Sequence, residues 1–258
     1  MSTAKAKLEE VSIKQCCKRL HLPTIAGQCV RLAEQAVKEK QSHLTYLDAL
    51  LEAEMEERER NVVKRRLREA HFPKVKTLEE FDFEATSHIS SALLRKLAEG
   101  EYVSRTEPVI FIGETGTGKT HLATALGVAA CQQRRRVRFA TAAELVNEMN
   151  EARQKNEVSR AVSRWSRYEL IVLDEMCYVA ASDAAAELLF QVIARRAERA
   201  AVIITTNLPF SEWTTMIPNA RLCKAMVDRL TDRAHIIETG TESYRFRRTL
   251  AKSKGAKA

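Results

Sequence analysis

The sequence predicts an α/β protein with a five-stranded parallel sheet, preceded by a small helical domain. Short apolar runs alternate with helical stretches in the last 150 or so residues, and a glycine-rich turn follows the first run. Buried runs separated by helices are typical of a parallel sheet covered on both faces. The expected strands are Val109–Ile112, Val137–Ala140, Leu170–Leu173, Val202–Thr205 and His235–Glu238.

The chain up to about residue 70 shows helical periodicity and no strand signal. The expected helices are Ser12–Leu20, Thr24 to about Lys40, and Leu44 to about Ala70. In the last of these, Glu54–Arg58 and Glu56–Arg60 have the spacing of i,i+4 ion pairs. We divide the chain into a helical domain that binds DNA or a partner, an α/β domain, and a disordered basic tail: residues 1–75, 76–248 and 249–258.

Composition narrows the class of protein. A chain of 258 residues with 45% hydrophobic residues can form a core. The net charge of +8 points to polyanionic partners, although a basic surface without a ligand stays open. The six cysteines form no C-x-x-C pair. Without a signal-peptide pattern or a run of about 18 apolar residues, we expect a reduced, soluble, cytoplasmic protein that does not bind membranes.

The segment Gly113–Thr120 matches G-x-x-x-x-G-K-[ST] without mismatch, between a predicted strand and a predicted helix. In this motif the glycines let backbone N–H groups surround phosphates, the lysine reaches the outer phosphates, and the hydroxyl is placed for Mg²⁺. The alternative is an ordinary glycine-rich turn. We expect a nucleoside triphosphate and Mg²⁺ as cofactors, held by Gly113, Thr115, Gly116, Thr117, Gly118, Lys119 and Thr120.

Two later strands end in polar residues. The strand before Asp174 and Glu175 delivers Asp174 to the sheet edge, where it can hold Mg²⁺ opposite Thr120, and Glu175 is a candidate general base. Asn207 ends the next strand and can contact the γ-phosphate or the attacking water. The alternatives are solvated acids at a strand end and an Asn207 that caps a turn.

Arg229 and Arg233 are four residues apart in a predicted helix and are expected to share a face. An arginine presented across a subunit boundary can stabilise the charge of a phosphoryl-transfer transition state. Pairing with local carboxylates is the alternative for both arginines. Arg229 is therefore a catalytic candidate, together with Lys119, Asp174, Glu175 and Asn207.

The order of these motifs resembles the AAA+ ATPases, and within them the IstB-type transposition helpers, relatives of the DnaC helicase loaders. The resemblance extends over most of the chain, from about Leu20 to Arg248. It adds His121 to the nucleotide-binding residues. The matching segments are Gly113–Thr120 with His121-Leu-Ala, Leu173-Asp-Glu, Thr205-Thr-Asn, Asp228-Arg-Leu, Gly240–Arg245, Leu22-Pro-Thr, Leu50–Glu54, Glu57–Arg60, Phe72-Pro and Phe81-Asp-Phe.

The resemblance implies an ATPase that assembles on DNA and assists transposition of an insertion sequence through target selection and transposase activation. About twenty residues follow the last predicted strand, so we expect no C-terminal lid domain; a nucleotide contact by Arg245 is left open. The implied partners are double-stranded DNA bound without sequence preference, the cognate transposase, and further copies of the chain when ATP and DNA are present. DNA-stimulated ATP hydrolysis is the expected activity.

Three basic regions could contact DNA phosphates: the stretch Asn147–Arg167, the end of the third N-terminal helix, and the tail from Arg245. Each could equally be a solvated surface. In the first region, the spacing of Arg160, Arg164 and Arg167 predicts one helical face. The candidates are Arg153, Lys155, Arg160, Arg164, Arg167, Lys64 and Arg65.

Two other functions remain open at this point. A replicative helicase loader similar to DnaC would share the ATPase core and differ in its client. A small-molecule phosphotransferase would use the same phosphate loop but would need an acceptor pocket, and the acidic strand end fits hydrolysis better.

Overall fold

A computed structural model describes residues 2–86, 88–178, 183–196 and 200–244. The ten α-helices in these residues are α1 Ser2–Leu20, α2 Pro23–Lys38, α3 His43–Glu69, α4 Ser91–Ala98, α5 Glu101–Ser104, α6 Lys119–Gln132, α7 Ala142–Gln154, α8 Val158–Trp165, α9 Asp183–Arg196 and α10 Ala220–Thr231. The strands are β1 Val109–Ile112, β2 Val137–Thr141, β3 Leu170–Asp174, β4 Ala201–Thr206 and β5 His235–Glu238. Short 3₁₀ helices follow β3 and β4.

The five strands form one parallel sheet in the order β2-β3-β4-β1-β5. All five expected strands are confirmed, with boundaries that differ by at most one residue. Because β1 lies between β4 and β5, the segments that follow these three strands meet at the same edge of the sheet. This edge carries the phosphate-loop motif.

Each face of the sheet packs on its own apolar cluster. Side chains alternate along β1, so Ile110 belongs to the cluster under α7, α8, α9 and α10, while Val109 and Phe111 belong to the cluster under α4 and α6. The buried apolar runs of β3 and β4 follow from this arrangement, because neither face of a central parallel strand contacts solvent. The core therefore fixes the positions of the strand ends.

The chain separates into two compact units, Met1–Lys64 and the residues from Arg65 onward. In the first unit Cys17, Ile25, Cys29 and Leu50 form a small core. Glu54 of α3 is buried and accepts the first backbone N–H groups of α2, from Thr24 at 2.9 Å and Ile25 at 3.1 Å.

A buried carboxylate joins α3 to the start of α2. Burial raises the pKa of Glu54, but the hydrogen bonds from Arg58, Ile25 and Thr24 outweigh it and bring that pKa below its ordinary value. Arg58 lies 2.9 Å from the Glu54 carboxylate, which confirms the expected pair. Glu54 is the last residue of the Leu50–Glu54 segment named in the resemblance. Its bond to Thr24 connects that segment to the Leu22-Pro-Thr segment.

Three expectations about helical side chains are wrong. Arg60 pairs with Glu57 at 3.0 Å and not with Glu56. Arg167 lies beyond the end of α8, so it does not share a helical face with Arg160 and Arg164. Arg233 follows the end of α10 and has a positive φ of 54°, so it does not share a helical face with Arg229.

Several expectations fall outside the described residues. Arg245 and the basic tail that follows it are among them. The expected absence of a lid domain concerns the same residues. Among the described helices, none combines the length and apolar character needed to cross a membrane.

Candidate nucleotide site

The phosphate loop is fastened by the ends of the strands on either side of β1. The Gly113 N–H donates to the Thr206 carbonyl of β4 at 3.2 Å, and the Glu114 N–H donates to the Gly240 carbonyl after β5 at 3.0 Å. The N–H groups of residues 115, 116 and 118 have no hydrogen-bond acceptor in the described part of the chain. These donors precede the N-terminus of α6, where the helix dipole favours an anion.

Two loop positions show why this turn needs its sequence. Gly118 has a φ of 99°, and a Cβ atom there would lie 2.7 Å from the Phe81 ring. Thr117 is buried, and its hydroxyl is hydrogen-bonded to the Thr239 hydroxyl at 2.7 Å and to the Glu114 carbonyl at 2.8 Å. The Thr117 side chain therefore supports the loop, and its N–H also donates to the Glu114 carbonyl, at 3.4 Å. A direct contact between Thr117 and the nucleotide stays a prediction.

Lys119 lies over the loop that precedes it. Its Nζ donates to the Gly113 carbonyl at 2.7 Å and to the Glu114 carbonyl at 2.8 Å. The side chain is buried, and this burial lowers its pKa from the usual value, against the opposing effect of nearby acids that include Asp174 and Glu175. The ammonium group is thus held beside the loop N–H groups, in position for phosphate oxygens.

A hydroxyl and a carboxylate meet at the start of α6. The Thr120 Oγ1 lies 3.0 Å from both carboxylate oxygens of Asp174, the last residue of β3. These oxygens are the hard ligands that Mg²⁺ prefers. The residues therefore fit the predicted Mg²⁺ site, with Thr120 and Asp174 as its protein side.

Thr205 of β4 holds the two acids and was not among the predicted site residues. Its hydroxyl is buried and donates to Asp174 Oδ1, while it accepts the Glu175 N–H at 2.9 Å. Glu175 has a φ of 57°, a left-handed conformation that is uncommon outside glycine and often found at functional sites. Its side chain is exposed at the rim of the sheet. One hydroxyl therefore contacts both the metal-binding carboxylate and the backbone of the candidate base.

Asn207 lies against the phosphate loop. Its Nδ2 donates to Thr115 Oγ1 at 3.1 Å, across 92 positions of sequence. The turn after β4 is instead closed by Thr206, whose hydroxyl accepts the Leu208 N–H at 3.1 Å. The structure thus brings Asn207, Lys119, Asp174 and Glu175 to one edge of the sheet, as the strand ends predict.

A cavity of about 350 Å³ adjoins the loop on the side of residues 116–121. His121 lines it, and its Nε2 lies 2.8 Å from the Thr77 carbonyl. Burial lowers the pKa of His121, partly offset by that hydrogen bond. The His121 ring also packs edge-on against Phe81, with the centroids 5.2 Å apart. His121 therefore borders the cavity and also ties α6 to the segment before α4.

The remaining lining residues were missed at the sequence level. Lys76, Phe81 and Asp82 come from an irregular segment with no periodic pattern, and Tyr244 comes from beyond β5. The Tyr244 hydroxyl donates to Asp82 at 3.3 Å. The signals for these residues were the Phe81-Asp-Phe and Gly240–Arg245 matches named in the resemblance. The cavity, with a phosphate loop at one end and aromatic groups nearby, has the chemistry of a nucleotide pocket.

Arg229 lies away from this edge. It is exposed on α10, its guanidinium carbon is 4.9 Å from the Phe190 ring centroid, and within the described residues it forms no ion pair. It shares a surface pocket of about 500 Å³ with Thr106 and Arg233. Thr106 precedes β1, whereas the phosphate loop follows β1, so Arg229 is at the opposite edge of the sheet.

The DNA-binding candidates differ in their neighbours. Arg160 pairs with Glu157 at 3.3 Å and Arg164 with Glu148 at 3.2 Å. Lys64 and Arg65 lie 3.9 Å from Glu57 and Glu69, respectively. Three candidates are exposed and pair with no acid in the described part of the chain: Arg153, Lys155 and Arg167.

Comparison with solved structures supports the fold. The chain is similar to AMPPCP-bound DnaA from Aquifex aeolicus, with a TM-score of 0.56 and 20% identity over 71% of this chain and 55% of that one. It is also similar to DnaI, with a TM-score of 0.51 and 15% identity over 65% of this chain and 89% of that one. At these identities the likeness concerns the fold alone, a parallel sheet with helices on both faces.

Relatives found by sequence have higher identities to this chain than these solved structures do. One from Sinorhizobium fredii, named as an insertion sequence ATP-binding protein, is 37% identical over 88% of this chain and 77% of its own length. One from Geobacillus stearothermophilus, named as an ATP-binding protein of the insertion sequence IS5376, is 35% identical over 91% of this chain and 94% of its own. A family profile described as IstB-like ATP binding protein matches residues 15–252. The chain therefore belongs to the family of IstB-like ATP binding proteins.

Proposed function

We propose that this protein is a Mg²⁺-dependent ATPase that assembles on duplex DNA and assists transposition of an insertion sequence. The observation that carries the proposal is the cluster at the sheet edge, where Asp174 lies beside Thr120 and Thr205 contacts both Asp174 and the backbone of Glu175. A carboxylate beside a hydroxyl, with a second acid at the rim, is the arrangement needed to bind Mg²⁺ and to activate water.

The residues divide the work of hydrolysis as follows. Lys119 exchanges its two carbonyl contacts for oxygens of the outer phosphates, since both are hydrogen-bond acceptors within the same reach. Thr120 and Asp174 hold Mg²⁺, which, when bound, neutralises charge on the phosphates. Glu175 accepts a proton from the attacking water, and Asn207 donates a hydrogen bond to that water or to the γ-phosphate.

A second subunit completes the site in this proposal. Arg229 lies at the sheet edge opposite the phosphate loop, so its guanidinium is better placed to serve a neighbour than its own subunit. Packing on Phe190 holds the guanidinium at the surface without an acidic partner among the described residues. ATP and DNA would then promote assembly, and hydrolysis would remodel or dismantle it.

The insertion-sequence part of the proposal depends on the relatives. Both relatives described above are named for insertion sequences, which favours duplex DNA and a cognate transposase as partners. The net charge of +8 supports contact with DNA phosphates without base-specific reading. A helicase loader has the same core, and co-purification with a replicative helicase in place of a transposase would decide for it.

The test measures ATP turnover with and without duplex DNA, with particle size recorded in the same samples. We expect DNA to raise turnover and ATP with DNA to increase particle size, both in a Mg²⁺-dependent manner. The control is Lys119→Ala, which should lose ATP binding and both responses. Turnover that ignores DNA, in particles that stay monomeric, would remove the DNA-assembly part while leaving an ATPase.

A further inference from the structure

We infer that the first half of α3 is a docking surface for a basic amphipathic helix of a partner protein. Four large apolar side chains face solvent along one side of this helix: Leu44, Leu47, Leu51 and Met55, with exposed fractions of 78, 50, 47 and 63%. Their spacing of i, i+3, i+7 and i+11 places them in one stripe. We call these four residues the apolar stripe.

A row of acids borders the apolar stripe. Asp48, Glu52 and Glu56 follow one another at intervals of four residues and are exposed. None of the three forms an ion pair with another residue in the described part of the chain. The nearby cations of α3 are engaged elsewhere, since Arg58 pairs with Glu54, and Arg60 and Lys64 lie beside Glu57. We call Asp48, Glu52 and Glu56 the acidic row.

The charge of the acidic row selects among possible occupants. DNA is disfavoured, because carboxylates repel phosphates. Antiparallel pairing with the same helix surface of a second copy is also disfavoured, because it would bring two acidic rows together. A helix that carries apolar residues at i, i+3 or i+4 and lysine or arginine beside them satisfies both features.

The dimensions also fit a helix. From Leu44 to Met55 the apolar stripe runs for about three turns, or about 17 Å at the usual rise per residue. This matches a partner segment of similar length that inserts two or three apolar side chains. The surface belongs to the unit Met1–Lys64, whereas the nucleotide-binding residues belong to the other unit. The inference therefore stands or falls separately from ATP hydrolysis.

The experiment uses the full-length chain and a labelled 18-residue helical peptide of leucine and lysine, with fluorescence anisotropy as the readout. A peptide in which glutamate replaces lysine is the matched probe. One variant combines Leu47→Ser with Leu51→Ser, and a second combines Asp48→Lys with Glu52→Lys. The control variant combines Glu34→Lys with Val37→Ser, which alters an exposed acid and an exposed apolar residue of α2.

We expect the lysine peptide to bind the wild-type and control chains, and to bind each of the two α3 variants at least about tenfold more weakly. The glutamate peptide should prefer the Asp48→Lys, Glu52→Lys chain. Circular dichroism and unchanged basal ATP turnover will show that the variants are folded. Equal binding of the lysine peptide to all four chains, or equal binding of both peptides to the wild-type chain, would overturn the inference.

Two further readouts identify a different occupant. If the Leu47→Ser, Leu51→Ser variant lowers the mass of the peptide-free chain in sedimentation, a second copy occupies the apolar stripe. If it abolishes binding of duplex DNA, the stripe belongs to a DNA surface. Either result contradicts docking of a basic helix.

Discussion

At the carboxyl edge of the sheet, the functional groups contact one another, whereas the cations of α7 and α8 contact nearby surface acids or solvent. Asp174 is hydrogen-bonded to Thr120 and Thr205, and Asn207 reaches the phosphate loop. In the α7–α8 region, two arginines pair with acids that lie nearby. The first set is held by strands in a fixed register, and the second is held by exchangeable surface ion pairs.

This difference between strand ends and helix surfaces shows which charged residues can be assigned a role from their place in the sequence. A strand end has one location once the sheet order is set, so a polar residue there meets its neighbours from other strands. A cation on a helix surface has several acids within reach, and each acid it binds competes with an external phosphate. Arg229 is an intermediate case, carried by a helix but packed on an aromatic ring.

Arg229→Ala tests whether a cation on a helix contributes as much to ATP turnover as the groups at the strand ends. We expect ATP binding to persist and DNA-stimulated turnover to fall, by about 10³-fold or more if this arginine acts as in other NTPases. The reason is loss of a guanidinium that stabilises transition-state charge. Steady-state turnover with DNA, beside nucleotide binding by the same sample, measures the effect.

Mixing two inactive variants shows whether Arg229 acts across subunits. Arg229→Ala keeps an intact Glu175, and Glu175→Gln keeps an intact Arg229. If the arginine serves a neighbour, mixed assemblies should recover part of the DNA-stimulated turnover that each variant lacks alone. A mixture as inactive as its components would assign Arg229 to its own subunit or to folding.

Glu175→Gln tests the exposed acid at the strand end. Loss of the general base should lower the turnover rate by about 10² to 10⁴-fold. ATP binding should be retained, because Lys119, Thr120 and Asp174 are unchanged. A fluorescent ATP analogue measures binding, and phosphate release measures turnover. Wild-type turnover in this variant would exclude Glu175 as the base.

Thr205→Val tests the hydroxyl that orients both acids. The variant keeps the shape of the side chain but loses the bond to Asp174 and leaves the Glu175 N–H without its acceptor. We expect turnover to fall by about 10 to 100-fold, with a raised Mg²⁺ requirement, as for other groups that orient metal ligands.

The control for Thr205→Val is Thr205→Ser, which keeps the hydroxyl and should restore most of the turnover and the Mg²⁺ response. Melting temperatures of both variants should be compared, since Thr205 is buried. If both variants lose activity equally, the methyl packing of Thr205 matters and the hydroxyl does not.

Sequence reasoning placed the groups whose positions follow from the strand ends. Lys119, Asp174, Glu175 and Asn207 come together because β1, β3 and β4 are parallel neighbours or share one edge. Thr205 was missed because the Thr205-Thr206 pair does not reveal which hydroxyl meets Asp174. The alternation of side chains along β4, known only once its register is known, decides this.

The errors arise where local signals are weak or degenerate. No glycine or proline marks the end of α8, so Arg167 was placed on a helix that ends at Trp165. Arg60 had Glu56 and Glu57 within reach at i,i+4 and i,i+3, and spacing alone does not choose between them. The lining segment around Lys76 and Phe81 has no periodicity, because irregular backbone carries no repeating pattern.

The prediction with the smallest expected effect concerns DNA binding by cations of the α7–α8 region, and it compares those that pair with an acid with those that do not. Replacing Arg153 and Lys155 together by alanine should weaken duplex DNA binding and reduce the slope of log K against log salt by about 1.8, or about 0.9 for each lost phosphate contact. Replacing Arg160 and Arg164 together should reduce the slope less, because each must first leave its acidic partner. Titrations at several salt concentrations measure both slopes. Equal slopes for the two double variants would show that surface ion pairs do not restrain these arginines, and unchanged slopes in both would place DNA on another surface.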